Sequence, residues 1–137
     1  MSADLEIARR ALDKFSAGEL AEFWALIAPD CVLRTDPAWP GGGEYSGTAE
    51  MKRFIGQFLE AFGAVRFAYE GQPEEVNGRV LLHGRWVGSG ASTGIEAETS
   101  PVSVVIAVFD GLVSRFDFFF SDEEARHFAA SDALDAN

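Results

Sequence analysis

The hydrophobic period of this chain shifts near Gly63, and that shift limits the folds open to it. Before Gly63 the apolar residues recur mostly at helical spacing; after it they mostly alternate as strand residues do. The clearest helical stripe is Met51, Phe54, Ile55, Phe58, Leu59 and Phe62, with Thr48 as the predicted N-cap and Gly63 as terminator. Leu5, Ala8, Leu12 and Phe15 form an earlier stripe, opened by Asp4 and Glu6 and stopped by Gly18. Leu20, Phe23, Trp24 and Ile27 predict a second helix, ended by Pro29. A short strand over 31–35 follows, ending at Asp36-Pro37 and a glycine-rich loop, Trp39-Pro40-Gly41-Gly42-Gly43.

In the second half, Val65, Phe67 and Tyr69 alternate with Arg66, Ala68 and Glu70, the pattern of a half-buried strand. Asn77-Gly78 and Asp110-Gly111 each predict a tight hairpin turn. Between and after them lie predicted strands over 79–87, about 95–109 and 112–120, with Gly88, Gly90 and Gly94 punctuating the middle connection. Asp122, Glu123 and Glu124 open a short helix, and 131–137 is expected to fray. Helices segregated from hairpins predict an α+β fold. Three N-terminal helices would pack on a curved, mostly antiparallel sheet and enclose one cone-shaped cavity. With neither repeat nor linker, 1–137 reads as a single domain, long enough to bury about two-thirds of its unfolded surface.

The charge excludes some partners. Eleven basic side chains against 22 acidic ones leave a net charge of −11. This argues against nucleic acid and against anionic membrane surfaces, both of which need clustered cations. Cys31 is the only cysteine, so no intrachain disulfide forms and a reducing compartment is expected. The first ten residues are mixed in charge rather than leader-like, and the longest apolar run, 104–109, is too short for a bilayer. A cytoplasmic protein is expected. One cysteine and two distant histidines have no ligand spacing, so neither metal nor other cofactor is expected.

Strand parity assigns faces. Val80, Leu82 and Trp86 share one face of their strand, with His83 and Arg85 opposite. In the last strand Phe116, Phe118 and Phe120 share the inner face with Leu112 and Ser114, leaving Arg115 and Asp117 outside. Val102, Val104, Ile106 and Val108 alternate with Ser103, Val105, Ala107 and Phe109, so both faces of that strand are apolar. A second apolar face asks for a cover, and a homodimer packed sheet to sheet is the expectation. A one-residue bulge would instead turn His83 and Arg85 inward.

Several strings resemble the nuclear-transport-factor-2-like superfamily and, within it, the SnoaL-like group that includes polyketide cyclases. They are Ser16-Ala17-Gly18-Glu19-Leu20, Ala28-Pro29-Asp30-Cys31-Val32, Tyr45-Ser46-Gly47-Thr48 and Phe109-Asp110-Gly111-Leu112-Val113. Gly88-Ser89-Gly90-Ala91-Ser92-Thr93-Gly94 also looks like an element recurring in that group. The resemblance spans nearly the whole chain and implies the fold, but not one reaction.

Thr35-Asp36-Pro37 resembles the Glu-Asp-Pro string that carries the base of ketosteroid isomerases. Ala11 and Val105 stand where the resemblance places that family's two oxyanion donors, each such donor being worth about 3–4 kcal/mol. The catalytic positions of limonene epoxide hydrolases fall on Gly84, Trp86 and Phe118, and that of the SnoaL cyclases on Phe118 as well. A known mechanism is therefore not carried over whole.

Two readings of Asp36 remain. It is a base whose pKa an apolar pocket raises, or it is structural, as a turn aspartate or as the partner of Arg34. Around it, Trp39, Tyr45, Phe58, Trp86, Phe116 and Phe118 are candidate walls of a ligand pocket, with Tyr45 a hydroxyl donor. Phe54 and Phe58 also suit a filled core. Gly84 and Ala107 are small positions that would leave room for a ligand, and Val105 joins them through the resemblance. The functional expectation is binding of a hydrophobic small molecule, with proton transfer by Asp36 on a polyketide- or terpenoid-like substrate. The alternative is a non-catalytic ligand-binding or dimerisation module.

Overall fold

The computed structural model describes residues 2–39, 42–88 and 97–131. Helix α1 (Ala3–Ser16) begins where Ser2 Oγ accepts the Leu5 N–H at 3.1 Å, and it buries Leu5, Ala8, Leu12 and Phe15. Helix α2 (Leu20–Ala25) is shorter than its stripe predicts. The Leu26 carbonyl accepts the Val113 N–H at 2.8 Å, which draws the chain into the sheet, and Ile27 opens strand β1 (Ile27–Arg34). Pro29 ends no helix. It lies where the register of β1 slips, between Ile27 and Val32, an irregular stretch that tolerates a missing N–H.

Strand β2 (Glu44–Ser46) pairs with β1 and leads into helix α3 (Gly47–Phe62). Its N-cap is Ser46 rather than Thr48, whose hydroxyl instead donates to the Pro29 carbonyl at 3.4 Å. Gly63, at φ 75°, terminates the helix as expected.

Strands β3 (Val65–Tyr69), β4 (Glu74–Val76), β5 (Arg79–Gly88), β6 (Ala97–Glu98), β7 (Val102–Phe109) and β8 (Leu112–Phe119) precede helix α4 (Asp122–Ala130). Both hairpin turns have two central residues at positive φ: 53° and 79° at Asn77-Gly78, 54° and 81° at Asp110-Gly111. That geometry matches the right-handed twist of the strands they join. Among the described residues the sheet runs β2-β1-β8-β7-β5-β3, with β4 and β6 also pairing with β5. Only the β1–β8 pairing is parallel. The strand expected over 95–109 is broken: β6 pairs with the end of β5, then Thr99, Ser100 and Pro101 interrupt before β7. Residues 89–96, which hold most of the glycine-punctuated connection, and the predicted frayed tail beyond Ser131 lie outside the described residues.

The inner sheet face buries Val80, Leu82, Trp86, Val102, Val104, Ile106 and Phe116 against α1 and α3. Strand β8 departs from simple parity. Val108 pairs with Val113 and Ala107 with Arg115, so Ser114 is an extra residue, a bulge. It turns Val113 into the core, at 0 % exposure, in place of Leu112 and Ser114. On the outer face, Ala125 and Ala129 of α4 pack against Leu81 and Val105. The second apolar face of β7 is thus covered at Val105 by the chain's own last helix, whose small side chains allow close approach. A sheet-to-sheet homodimer loses that support; Phe109, 77 % exposed, remains outside.

Candidate functional site

Because β1 and β8 run parallel, their C-terminal ends meet at one rim of the sheet. Arg34 pairs with Asp117 in register, and two residues on, Asp36 Oδ2 accepts the Phe120 N–H at 3.1 Å. Asp36 Oδ1 accepts the Ala38 N–H at 2.9 Å, an Asx turn that starts the loop back toward β2. The loop closes on itself: Trp39 N–H donates to the Asp36 carbonyl at 2.9 Å, and Gly42 N–H to the Trp39 carbonyl at 2.7 Å. Only glycine fits at 42, since a Cβ there would lie 2.7 Å from the Trp39 carbonyl and 2.8 Å from that of Asp36. Thr35 seals the base of the loop, its Oγ1 accepting the Gly43 N–H at 2.9 Å.

This loop sets Trp39 over the core. Its ring stacks on Phe120 at 5.8 Å between centroids and meets Phe58 edge-on at 5.6 Å. Beneath lies a cavity of about 60 Å³ whose wall includes Asp36, Trp39, Phe58, Trp86, Phe116 and Phe118. Leu12, Phe15, Phe23, Leu33, Thr35, Phe54, Ile55, Val102, Phe119 and Phe120 complete it. A water needs roughly 10–15 Å³, so the space holds on the order of five water-sized groups. Among the described residues of this wall, Asp36 is the only ionisable side chain and Thr35 the only aliphatic hydroxyl.

The other predicted pocket residues are elsewhere. Tyr45 packs against Phe54 with the rings tilted, 4.6 Å between centroids, and is not in the wall. Gly84 leaves no space for a ligand, because the Phe67 ring and the Ala68 carbonyl of β3 occupy it: a Cβ would sit 2.7 Å from Phe67 Cε2 and 2.3 Å from the Ala68 oxygen. Val105 is on the outer face beneath α4, and Ala107, with the same parity, pairs with the outward Arg115. Neither lines the cavity.

Charged side chains pair outside the cavity. Arg34 bonds Asp117 at 2.9 Å and its guanidinium lies over the Phe128 ring at 4.6 Å, so it is not the partner of Asp36. Arg115 Nε donates to Asp117 Oδ2 at 2.7 Å. Burial pushes the Asp117 carboxyl above its ordinary range, and the two arginines pull it back. His83 faces outward too: Nε2 lies 2.8 Å from Glu74, and Nδ1 lies 3.0 Å from Asp122 and 3.1 Å from Ser103. Arg126 also binds Glu74, with two donors, and holds the Glu74 carboxyl down at about 2, helped by His83. Arg85 pairs with Glu70 at 2.9 Å and Glu98 at 3.4 Å. The bulge that would have turned His83 and Arg85 inward falls on β8 instead. Burial raises the Cys31 thiol to about 12, which keeps it a neutral, inert core group.

Sequence reasoning missed Thr35 and Phe120 as wall residues. Parity placed Phe120 inside, but only the parallel β1–β8 pairing shows that it meets Asp36. No described helix is long and apolar enough to cross a membrane. The described residues contain no cluster of three potential metal ligands.

A model of the SnoaL-like domain matches residues 8–116. No curated protein matches the sequence. Solved structures match closely in shape. An NTF2-like protein of unknown function from Burkholderia pseudomallei is 20 % identical, with a TM-score of 0.74 over 96 % of this chain and 100 % of that one. A second NTF2-like protein, from Burkholderia thailandensis, is 23 % identical, with a TM-score of 0.72 over 96 % and 99 %. TerC, crystallised with polyporic acid, is 18 % identical, with a TM-score of 0.72 over 95 % and 100 %. At these identities the likeness is one of fold. Taken with the family model, it shows that the chain belongs to the SnoaL-like domain family and has its α+β, NTF2-like architecture.

Proposed function

We propose that this protein binds a small hydrophobic molecule in the aromatic cavity and exchanges a proton with it through Asp36. The observation that carries this reading is the isolation of Asp36 as the one ionisable group among the described residues of an apolar wall. Membership of a family whose name is shared with polyketide cyclases supports small-molecule chemistry. The cavity's size favours a ligand of a few heavy atoms, or the small end of a larger one. A polyketide- or terpenoid-sized body requires Trp39 to swing off Phe120.

An enolate intermediate has little support. Ala11 is fully buried and carries no donor, and Val105 points away from the cavity. The chemistry that fits is transfer of a proton that leaves no strongly localised oxyanion.

A non-catalytic binding role has one observation in its favour. Both Asp36 oxygens already accept backbone N–H groups, as a purely structural turn aspartate would. Mass spectrometry of molecules that co-purify with the protein, followed by turnover assays of Asp36→Asn, separates the two. Asparagine keeps one of the two side-chain acceptors and cannot take up the proton, so the variant's fold is checked by urea unfolding beside its turnover. Loss of at least 100-fold in turnover is expected for a base of this kind; undiminished turnover would remove Asp36 from the mechanism.

A further inference from the structure

The wall of the cavity has a charge preference. Among its described residues it holds one carboxylate, Asp36, and no arginine, lysine or histidine. Side-chain donors are confined to the Thr35 hydroxyl and the indole N–H groups of Trp39 and Trp86. The nearest arginine along β1, Arg34, is committed to Asp117 on the opposite face. Most of the remaining wall is aromatic, and ring faces attract cations while offering nothing to anions.

Asp36 is half-buried, at the rim, and each of its oxygens keeps a lone pair beyond the backbone bond it accepts. A ligand's head group meeting Asp36 therefore stays partly hydrated while its apolar body enters the cavity. For an ammonium head this avoids most of the desolvation cost and gains a charge-assisted hydrogen bond. A carboxylate head would face a like charge with no counter-ion.

We infer that the natural ligand is a small apolar amine, or another cation with an N–H donor, held head-first at Asp36 with its hydrocarbon part among the rings. The inference rests on the cavity being a ligand site, as proposed above, and names the ligand's chemical class.

Three probes of one shape test it: isobutylamine, isobutanol and isobutyrate, each about the size of the cavity. Titration at pH 7, followed by the indole NMR signals of Trp39 and Trp86, reads binding to wild type and to Asp36→Asn. The ammonium is expected to bind at least tenfold tighter than the carboxylate, and the ratio to fall below threefold in the variant. Equal or tighter binding of isobutyrate, or an unchanged ratio in Asp36→Asn, overturns the inference. The wild-type ratio stands as a test even if the variant folds poorly. If isobutanol binds but the ammonium shows no preference, only the charge assignment fails. If none of the three moves the indole signals, the ligand-site reading fails with it.

Discussion

Replacing Gly84 by alanine tests the packing that distinguishes this cavity from the one read out of the sequence. The added Cβ would lie 2.3 Å from the Ala68 carbonyl oxygen and 2.7 Å from Phe67 Cε2. The Phe67 ring can tilt, but the carbonyl belongs to the β3 backbone, paired with β5 at Ala68↔Arg85 and Tyr69↔Gly84. Bringing the oxygen out to about 3 Å means moving β3 by roughly 0.7 Å, which lengthens ladder hydrogen bonds on either side. Overpacking of this kind costs about 1–3 kcal/mol. One weakened buried hydrogen bond adds about 1 kcal/mol. Loss of glycine's freedom in the unfolded chain returns about 0.4–1 kcal/mol. The net expectation is a destabilisation of about 2–3 kcal/mol, read by equilibrium urea unfolding with tryptophan fluorescence. Gly56→Ala is the control. Within α3, Gly56 is the half of the comparison with open space, since a Cβ added there would meet no other group within 4 Å, and the same change should stabilise by about 1 kcal/mol. A Gly84→Ala protein within 0.5 kcal/mol of wild type would mean that space does exist above Gly84 and that Phe67 and β3 do not fill it.

Two further outcomes follow from charges outside the cavity. Asp117→Ala removes the shared acceptor of Arg34 and Arg115 at a site 1 % exposed, and should cost about 3 kcal/mol in the same urea assay; a cost below 1 kcal/mol would show that the arginines re-pair freely. Glu74 titrates lower in the folded protein, at about 2, than in the unfolded chain at about 4.3. Its contribution is therefore complete above pH ~4.3 and lost as pH falls toward 2. The stability difference between wild type and Glu74→Gln should shrink between pH 5 and pH 2. Taking that difference separates Glu74 from Asp117, whose burial acts in the opposite direction.

Local sequence determined much of the architecture. Helical stripes on α1 and α3 pack where their periodicity says, because a 3.6-residue repeat has only one apolar side to bury. Asn77-Gly78 and Asp110-Gly111 form their hairpins because few other residue pairs accept two successive positive φ values. The inward face of β5 follows from alternation alone, whereas β7 is apolar on both faces and only the structure shows which one meets the core. Asp36, Trp39 and the paired phenylalanines Phe116 and Phe118 were legible as a group because they cluster at strand ends or share a parity.

Other features depend on what lies across the sheet. Whether a small residue makes a hole is decided by its neighbour, and Phe67 fills the place that Gly84 leaves open. Whether an apolar face needs a partner is decided by α4, which covers Val105 from a position twenty residues further along the chain. A bulge at Ser114 moves Val113 inward, and nothing in the local pattern marks it. Asp36 itself was visible from Thr35-Asp36-Pro37 alone. Its bond to Phe120 and its isolation from Arg34 arise only because the first and last strands run side by side in the same direction. That pairing joins residues 84 positions apart, a distance over which sequence periodicity carries no information.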